Sequence, residues 1–259
     1  MARQFDGSRC GVTVEMFGSA GSGKSTLARR LVATLCEGQA TVVTGPLGGP
    51  QVGTSRAMHH FERLRWAFHG LTRRREPMLR GVHMRGFRQT SPKESLSVTI
   101  NWWAKAGLLN IAATTPGVTV LEEGPAHAIW SAALKSTAPS TGAVSDDLAR
   151  IVPLGRLHLF VHVSVSPDVA LTRLRHRGRR GHRLLERGEA HNTVSHTARI
   201  QRASSAAEAF VHRVLKSNCN AYCVRVDNSH EGGVDECVRD ILTSLRGVCR
   251  TMSCDLSHQ

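Results

Sequence analysis

The chain is poor in tyrosine, in lysine and in acids. Of 259 residues one is Tyr, and aromatic residues make up 5% of the sequence. Only five of the 34 basic residues are Lys, and Asp plus Glu number 20, which leaves a formal charge of +14. That balance excludes an acidic, solvating, disordered segment. No apolar run is long enough to span a bilayer, the longest being Leu157 to Val165. The first ten residues, MARQFDGSRC, hold no apolar stretch of the secretory kind, so a soluble, cytoplasmic protein is expected. The seven cysteines form no CxxC pair and no doublet of doublets, which favours reduced structural thiols over a zinc site.

Missing motifs narrow the chemistry further. The sequence has no NKxD or DxxG of a GTPase, no LSGGQ-like stretch of a transporter ATPase, and no HRD or DFG of a protein kinase. It lacks the GxSxG elbow of a serine hydrolase, and its 14 histidines are scattered with no HExxH.

What is present is 41% hydrophobic residues spread along the chain, enough for one sizeable α/β domain. Strand-like and helix-like patterns alternate from residue 12 to residue 247, the signature of βαβ units and a mainly parallel sheet. Strands are predicted at Val12 to Phe17, Thr41 to Thr44, Val118 to Leu121, Leu157 to Val165 and Ala221 to Val226. Helices are predicted from Lys24 to Cys36, from Thr54 to Arg75 with Met58, Phe61, Leu64, Phe68 and Leu71 as its apolar face, and from Ser91-Pro92-Lys93-Glu94 onward. Leu96, Ile100, Trp103 and Ile111 form the expected buried stripe of that third helix, with one of Trp102 and Trp103 on each side. Further helices follow Ser166-Pro167-Asp168, span about Asn192 to Lys216, and carry Val234, Val238, Ile241 and Leu245. Residues 1–259 are expected to form a single domain, with 46–115 as a helical substrate-side region, 178–190 as a lid and 248–259 as a flexible tail.

Gly18-Ser19-Ala20-Gly21-Ser22-Gly23-Lys24-Ser25-Thr26 matches G-x-x-x-x-G-K-[ST], the phosphate-binding P-loop or Walker A motif. Its glycines let successive backbone N–H groups point inward as an anion nest at a helix N-terminus, where the macrodipole also favours negative charge. In that role Lys24 reaches the β and γ phosphates, Ser25 ligates Mg²⁺, and Thr26 lies near the α phosphate. Glu122 and Glu123 close the third strand. If that strand lies beside the first, one carboxylate can serve Mg²⁺ and one can accept a proton from an attacking hydroxyl. Which does which is open at this point.

Arginine is concentrated in two stretches, nine between Arg56 and Arg88 and seven between Arg173 and Arg187, so anionic ligands are expected. In Arg173-Leu-Arg175-His-Arg177-Gly-Arg179-Arg180, Arg173 and Arg177 share a helical face, and Gly178 lets Arg179 and Arg180 swing into a lid. Cations that arrive on closure stabilise a transferring phosphoryl group and exclude water.

Together the phosphate loop, the acidic strand end and RLRHRGR after Ser-Pro-Asp resemble the thymidylate kinase and deoxynucleoside kinase family of P-loop phosphotransferases. The resemblance covers about residues 12–26, 118–130 and 157–180. It implies the P-loop NTPase fold, a parallel five-stranded sheet of order 2-3-1-4-5 with helices on both faces, ATP as donor, Mg²⁺, and lid arginines at Arg173, Arg177 and Arg179. Three departures stand out. Phe17 occupies the place before the first loop glycine where the family commonly has an acid, with Glu15 two residues earlier. Glu123 follows Glu122 where an arginine is usual. Arg180-Gly181-His182-Arg183 precedes the next acid, Glu186.

The function expected is ATP- and Mg²⁺-dependent phosphoryl transfer to a nucleoside, a nucleoside monophosphate or another small acceptor. Ser25 and Glu122 serve the metal, Lys24 and the loop hold the donor, Glu122 or Glu123 acts on the acceptor, and the lid arginines clamp the transition state. The alternative is a nucleotide-binding regulatory module of the same fold that holds nucleic acid on its basic surface, with weak or no kinase activity. The sequence leaves the oligomeric state open, a homodimer included.

Overall fold

Strand β1 (Val12–Phe17) alternates Val12, Val14 and Met16 with Thr13, Glu15 and Phe17, and all six are buried. A strand hidden on both sides needs cover on both faces of its sheet, which is what a parallel α/β arrangement supplies. The computed structural model describes residues 11–37, 42–44, 61, 64–68, 89, 91–136, 146–176, 193–230 and 232–256. Its other strands are β2 (Val42–Thr44), β3 (Val118–Leu121), β4 (Leu157–Ser164) and β5 (Ala221–Asp227). They pair in parallel in the order β2-β3-β1-β4-β5. The α/β class and the parallel sheet agree with the sequence reading. Because β3 and β4 flank β1, the carboxyl ends of all three open onto one edge, the side on which such sheets carry their ligands.

Helix α1 (Lys24–Glu37) and the last helix α7 (Gly233–Leu256) cover one face. There Val12, Val14, Met16, Val118, Val120, Leu159, Val161 and Val163 meet Leu27, Leu31, Ile241 and Leu245. The other face is covered by α2 (Pro92–Thr114), α3 (Pro125–Lys135), and α6 (Thr193–Ser217), with the four-residue α4 (Asp146–Ala149) beside it. Phe17, Leu121 and Phe160 pack there against Trp102, Ile129 and Phe210. Helix α5 (Pro167–His176) follows β4 and begins as predicted, with the Ser166 hydroxyl accepting from the Val169 N–H at 3.4 Å.

Three expectations about helices need correction. Helix α2 starts as expected, with the Ser91 hydroxyl accepting from the Glu94 N–H at 3.2 Å, but its buried side carries Val98, Trp102 and Leu109. Leu96 is exposed, and Ile100, Trp103 and Ile111 are half-buried. The helix has two apolar stripes at nearly the same spacing, and the tertiary partner decides between them: Trp102 meets the Phe210 ring edge-on, with centroids 6.3 Å apart. Of the helix expected over 54–75, residue 61 and residues 64–68 are described and helical, and Phe61, Leu64 and Phe68 are exposed while Ala67 is buried. Periodicity shows that a face is apolar without showing what covers it. Helix α7 runs on to Leu256, through Gly247, where the sequence suggested a flexible tail; a mid-helix glycine costs only about 1 kcal/mol.

The amino end of the sheet is closed by Arg156, which is 7% exposed. Its guanidinium donates to the Thr115 carbonyl at 2.6 Å, to the Val12 and Gly117 carbonyls at 3.1 Å each, and to the hydroxyls of Thr13 and Thr119 at 3.2 and 3.3 Å. One planar fork thus ties the starts of β1 and β3 together, and burial pushes its pKa down to about 10. Gly11 passes directly over the guanidinium, where a side chain would collide with it. Replacing Arg156 with Met strands several buried acceptors, so denaturant titration should show a loss of about 3 kcal/mol. Arg156→Lys should recover only part of this, because an ammonium cannot span both strands.

Candidate active site

The turn between β1 and α1 is the predicted phosphate loop. Gly18, Gly21 and Gly23 have φ of +143°, +82° and +90°, the backbone region in which an L side chain is strained. Packing excludes a side chain there as well: a Cβ on Gly21 would lie 2.6 Å from the Ala170 carbonyl of α5, and one on Gly23 would collide with the Asn228 amide. Lys24 opens α1 and is 9% exposed. Its ammonium donates to the carbonyls of Gly18 at 2.9 Å and Ser19 at 2.8 Å, so the charge is held across the loop. Ser25 and Thr26 follow in the first turn of α1, Thr26 on its exposed side.

Parallel pairing of β1 with β3 brings the acidic strand end to this loop. The Ser25 hydroxyl is in hydrogen-bond contact with Glu122 Oε1, across 97 residues of sequence. Glu122 is buried. The pair expected to share the metal is therefore a pair in space, and its two oxygens are the hard donors that Mg²⁺ takes.

Glu123 points to a different set of partners. Its Oε2 lies 3.4 Å from Lys105 Nζ of α2 and its Oε1 lies 3.6 Å from His127 Nε2 of α3. Burial would raise this carboxyl, but His127, Lys105 and Lys24 outweigh burial and hold it at about 2. Burial pushes His127 down to about 4, against the pull of Glu123 and with Lys24 and Lys105 adding to the shift. At neutral pH the group is thus a carboxylate paired with the Lys105 ammonium beside a neutral imidazole, with the Lys24 charge also favouring its ionised form.

The turn that carries both acids is fixed from below by Glu15, which is fully buried in β1. Its Oε1 accepts from the Ala126 N–H at 2.7 Å, capping α3, and its Oε2 lies 3.2 Å from His158 Nε2 of β4. The N-cap residue Gly124 has no side chain to cap the helix, and the Glu15 carboxyl fills the space a Cβ there would need. Phe17, one pleat above Glu15, stacks on His162 with ring centroids 4.7 Å apart.

Of the lid arginines, Arg173 in the last turn of α5 reaches the loop. Its Nη1 lies 3.6 Å from the position a Cβ on Gly23 would take, and that nitrogen is buried with no hydrogen-bond partner among the described residues, a donor free to meet an anion at the loop. Arg177 and Arg179 lie outside the described residues. Asn228, just past β5, donates from Nδ2 to the Ser22 carbonyl at 2.8 Å and ties that strand's end to the loop.

No protein-family model matches this chain, and no curated protein matches it. Two solved structures of a deoxyadenosine kinase from M. mycoides do. One holds the products dCMP and a flexible dCDP; it is 14% identical, with a TM-score of 0.48 over 91% of this chain and 99% of that one. The other has dATP bound and is 12% identical, with a TM-score of 0.45 over 90% of this chain and 99% of that one. At such scores neither neighbour's chemistry transfers to this chain, and the site must be read from its own residues.

The sequence reading named Lys24, Ser25, Glu122, Glu123 and Arg173, which the fold brings to the carboxyl edge of the sheet, and did not name Lys105, His127 or Asn228; it treated Glu15 only as a displaced acid. A lone lysine in the apolar run Trp102 to Ile111, and a lone acid in VTVEMF, were the available signals. His127 and Asn228 had none. The sign of the His127 shift makes a prediction. Between pH 6.5 and about 4 the unfolded chain binds a proton that the folded chain does not, so stability is full above pH 6.5 and falls as the pH drops through that window. Subtracting the melting curves of His127→Gln from those of the wild type should isolate a loss of roughly 3 kcal/mol by pH 4.

Proposed function

We propose that this protein is an ATP- and Mg²⁺-dependent kinase of the P-loop class that phosphorylates a nucleoside, a nucleoside monophosphate or a similar small acceptor. The contact between Ser25 and Glu122 is the observation that carries the reading. It joins a metal-type oxygen pair to a glycine loop built for phosphate, within reach of a second carboxylate.

Each group has a defined task in that chemistry. The amides from Gly18 to Ser25 surround the donor phosphates at the N-terminus of α1, and Lys24 supplies a fixed positive charge beside them. Ser25 and Glu122 are the residues that would hold Mg²⁺, which when bound offsets charge on the phosphate oxygens. The acceptor oxygen bonds to the γ-phosphorus while the bond from phosphorus to the β–γ bridging oxygen breaks, and that oxygen departs with ADP. The acceptor's proton passes to a carboxylate, Glu122 or Glu123. Arg173 brings a guanidinium to the loop from α5, and Arg177 and Arg179 extend that cation set in the sequence. Thr26 adds a hydroxyl near the α phosphate.

Incubation with labelled ATP and Mg²⁺ against a panel of nucleosides, nucleotides and small alcohols should place the label on one acceptor class. Lys24→Ala should lower kcat by roughly 10³-fold with little change in melting temperature. Full turnover by that variant, or no heat on titrating ATP into the wild type, overturns the reading. Ser25→Ala should raise several-fold the Mg²⁺ concentration needed for half-maximal rate.

A further inference from the structure

Asn228 lies one residue past β5 and is 2% exposed. Its backbone N–H donates to the carbonyl of Ser164, at the end of β4, at 3.0 Å, and the hydroxyl of the next residue, Ser229, accepts from the Ser166 N–H at 2.9 Å. The side chain is thus mounted on the carboxyl edge of two neighbouring strands. From there its Nδ2 donates to the Ser22 carbonyl of the phosphate loop at 2.8 Å, across 206 residues of sequence. Its Oδ1 is buried with no hydrogen-bond partner among the described residues. Turning the amide over would set that oxygen against the Ser22 carbonyl oxygen, so the donor faces only one way. A buried amide left half-satisfied costs stability that an apolar residue of the same shape would not, so this one is explained by what its donor holds rather than by packing.

What it holds is one peptide unit of the loop. The Ser22–Gly23 peptide is trans, so its carbonyl and its N–H point in opposite directions. With the carbonyl turned to Asn228, the Gly23 N–H is turned away from it, and no described residue accepts from that N–H. The neighbouring groups are already engaged: the Ser22 N–H donates to the Ser19 carbonyl at 3.3 Å, and the Gly23 carbonyl accepts from the Leu27 N–H at 3.0 Å. Gly23, at φ +90°, has no Cβ to stop the peptide from turning over. Turned over, it would present a carbonyl oxygen where an anion nest needs an N–H.

We propose that Asn228 is a positioning residue for the phosphoryl donor: by holding the Ser22 carbonyl it keeps the Gly23 N–H turned into the phosphate nest, and the polyphosphate tail is the part of the ligand it serves. The inference rests on the reading of this loop as the ATP site. Without the amide the peptide is shared between two orientations, of which one binds, and the apparent affinity falls by the competent fraction. One hydrogen bond of this kind sets that fraction at about a tenth. Bound phosphates themselves select the competent orientation, so the rate at saturating ATP changes little.

The test uses the full chain, with ATP and inorganic tripolyphosphate as probes in the presence of Mg²⁺. By titration calorimetry Asn228→Ala should weaken both about tenfold and by the same factor, because the lost contact concerns the phosphates alone. In turnover assays the KM for ATP should rise to a similar extent while kcat stays within about threefold of the wild type. The wild type alone provides a second measurement that stands if the variant does not fold: in nitrogen-15 NMR spectra the Gly23 amide proton should move downfield on addition of tripolyphosphate. In Asn228→Ala that displacement should shrink at subsaturating tripolyphosphate. Unchanged affinity for both probes in the variant, a fall in kcat with KM unaltered, or a wild-type Gly23 amide that does not respond overturns the proposal. If the wild type binds ATP and any of these results is found, this inference fails and the donor-site reading survives; if neither probe gives heat with the wild type, both fail.

Discussion

The arrangement depends on the parallel pairing of β1 with β3. That register sets Glu15 opposite Leu121 and brings the residue after Leu121 to the first turn of α1, where Ser25 meets Glu122. A hydroxyl and a carboxylate nearly a hundred residues apart in sequence become neighbours because two strands run side by side in the same direction. The acidic half of the site follows from that adjacency: the metal-type oxygen pair, the nearness of Glu123 to Lys24, and the approach of α2 with Lys105.

The sheet face that bears the site is more polar than its packing suggests. Thr13, Glu15, Thr119 and His158 are all buried on it, among Phe17, Leu121 and Phe160. They are tolerated because each meets a partner: Arg156 takes both threonine hydroxyls, and Glu15 is shared by His158 and the Ala126 amide. Such a spine makes a buried layer specific in a way that methyl groups do not, since a register slip would leave several polar groups unpaired at once. It leads from the amino edge of the sheet up to the turn that presents the two acids.

Much of this could be read from the residues. The glycine loop and the strand before it define their own geometry, because few sequences place three glycines, a lysine and a serine at that spacing after VTVEMF. Ser91 and Ser166 announce the starts of their helices through local hydrogen bonds, and the structure contains both. What could not be read were choices made by tertiary partners. The sequence around Trp102 and Trp103 offers two apolar stripes, and only the ring of Phe210 determines which one is buried. Phe61, Leu64 and Phe68 form a regular stripe that faces outward. The partners of Glu123 were equally hidden: Lys105 lies 18 residues before it, on α2, and no local pattern connects them.

The crowding between Glu15 and Gly124 reaches beyond a single residue. A side chain at 124 and a carboxylate at 15 compete for one volume, so neither position can drift alone: an alanine at 124 expels the acid, and a smaller residue at 15 opens that space but removes the cap from α3. Inheritance along this lineage should therefore treat the two sites as one character, exchanged together or retained together, although 109 positions of chain separate them.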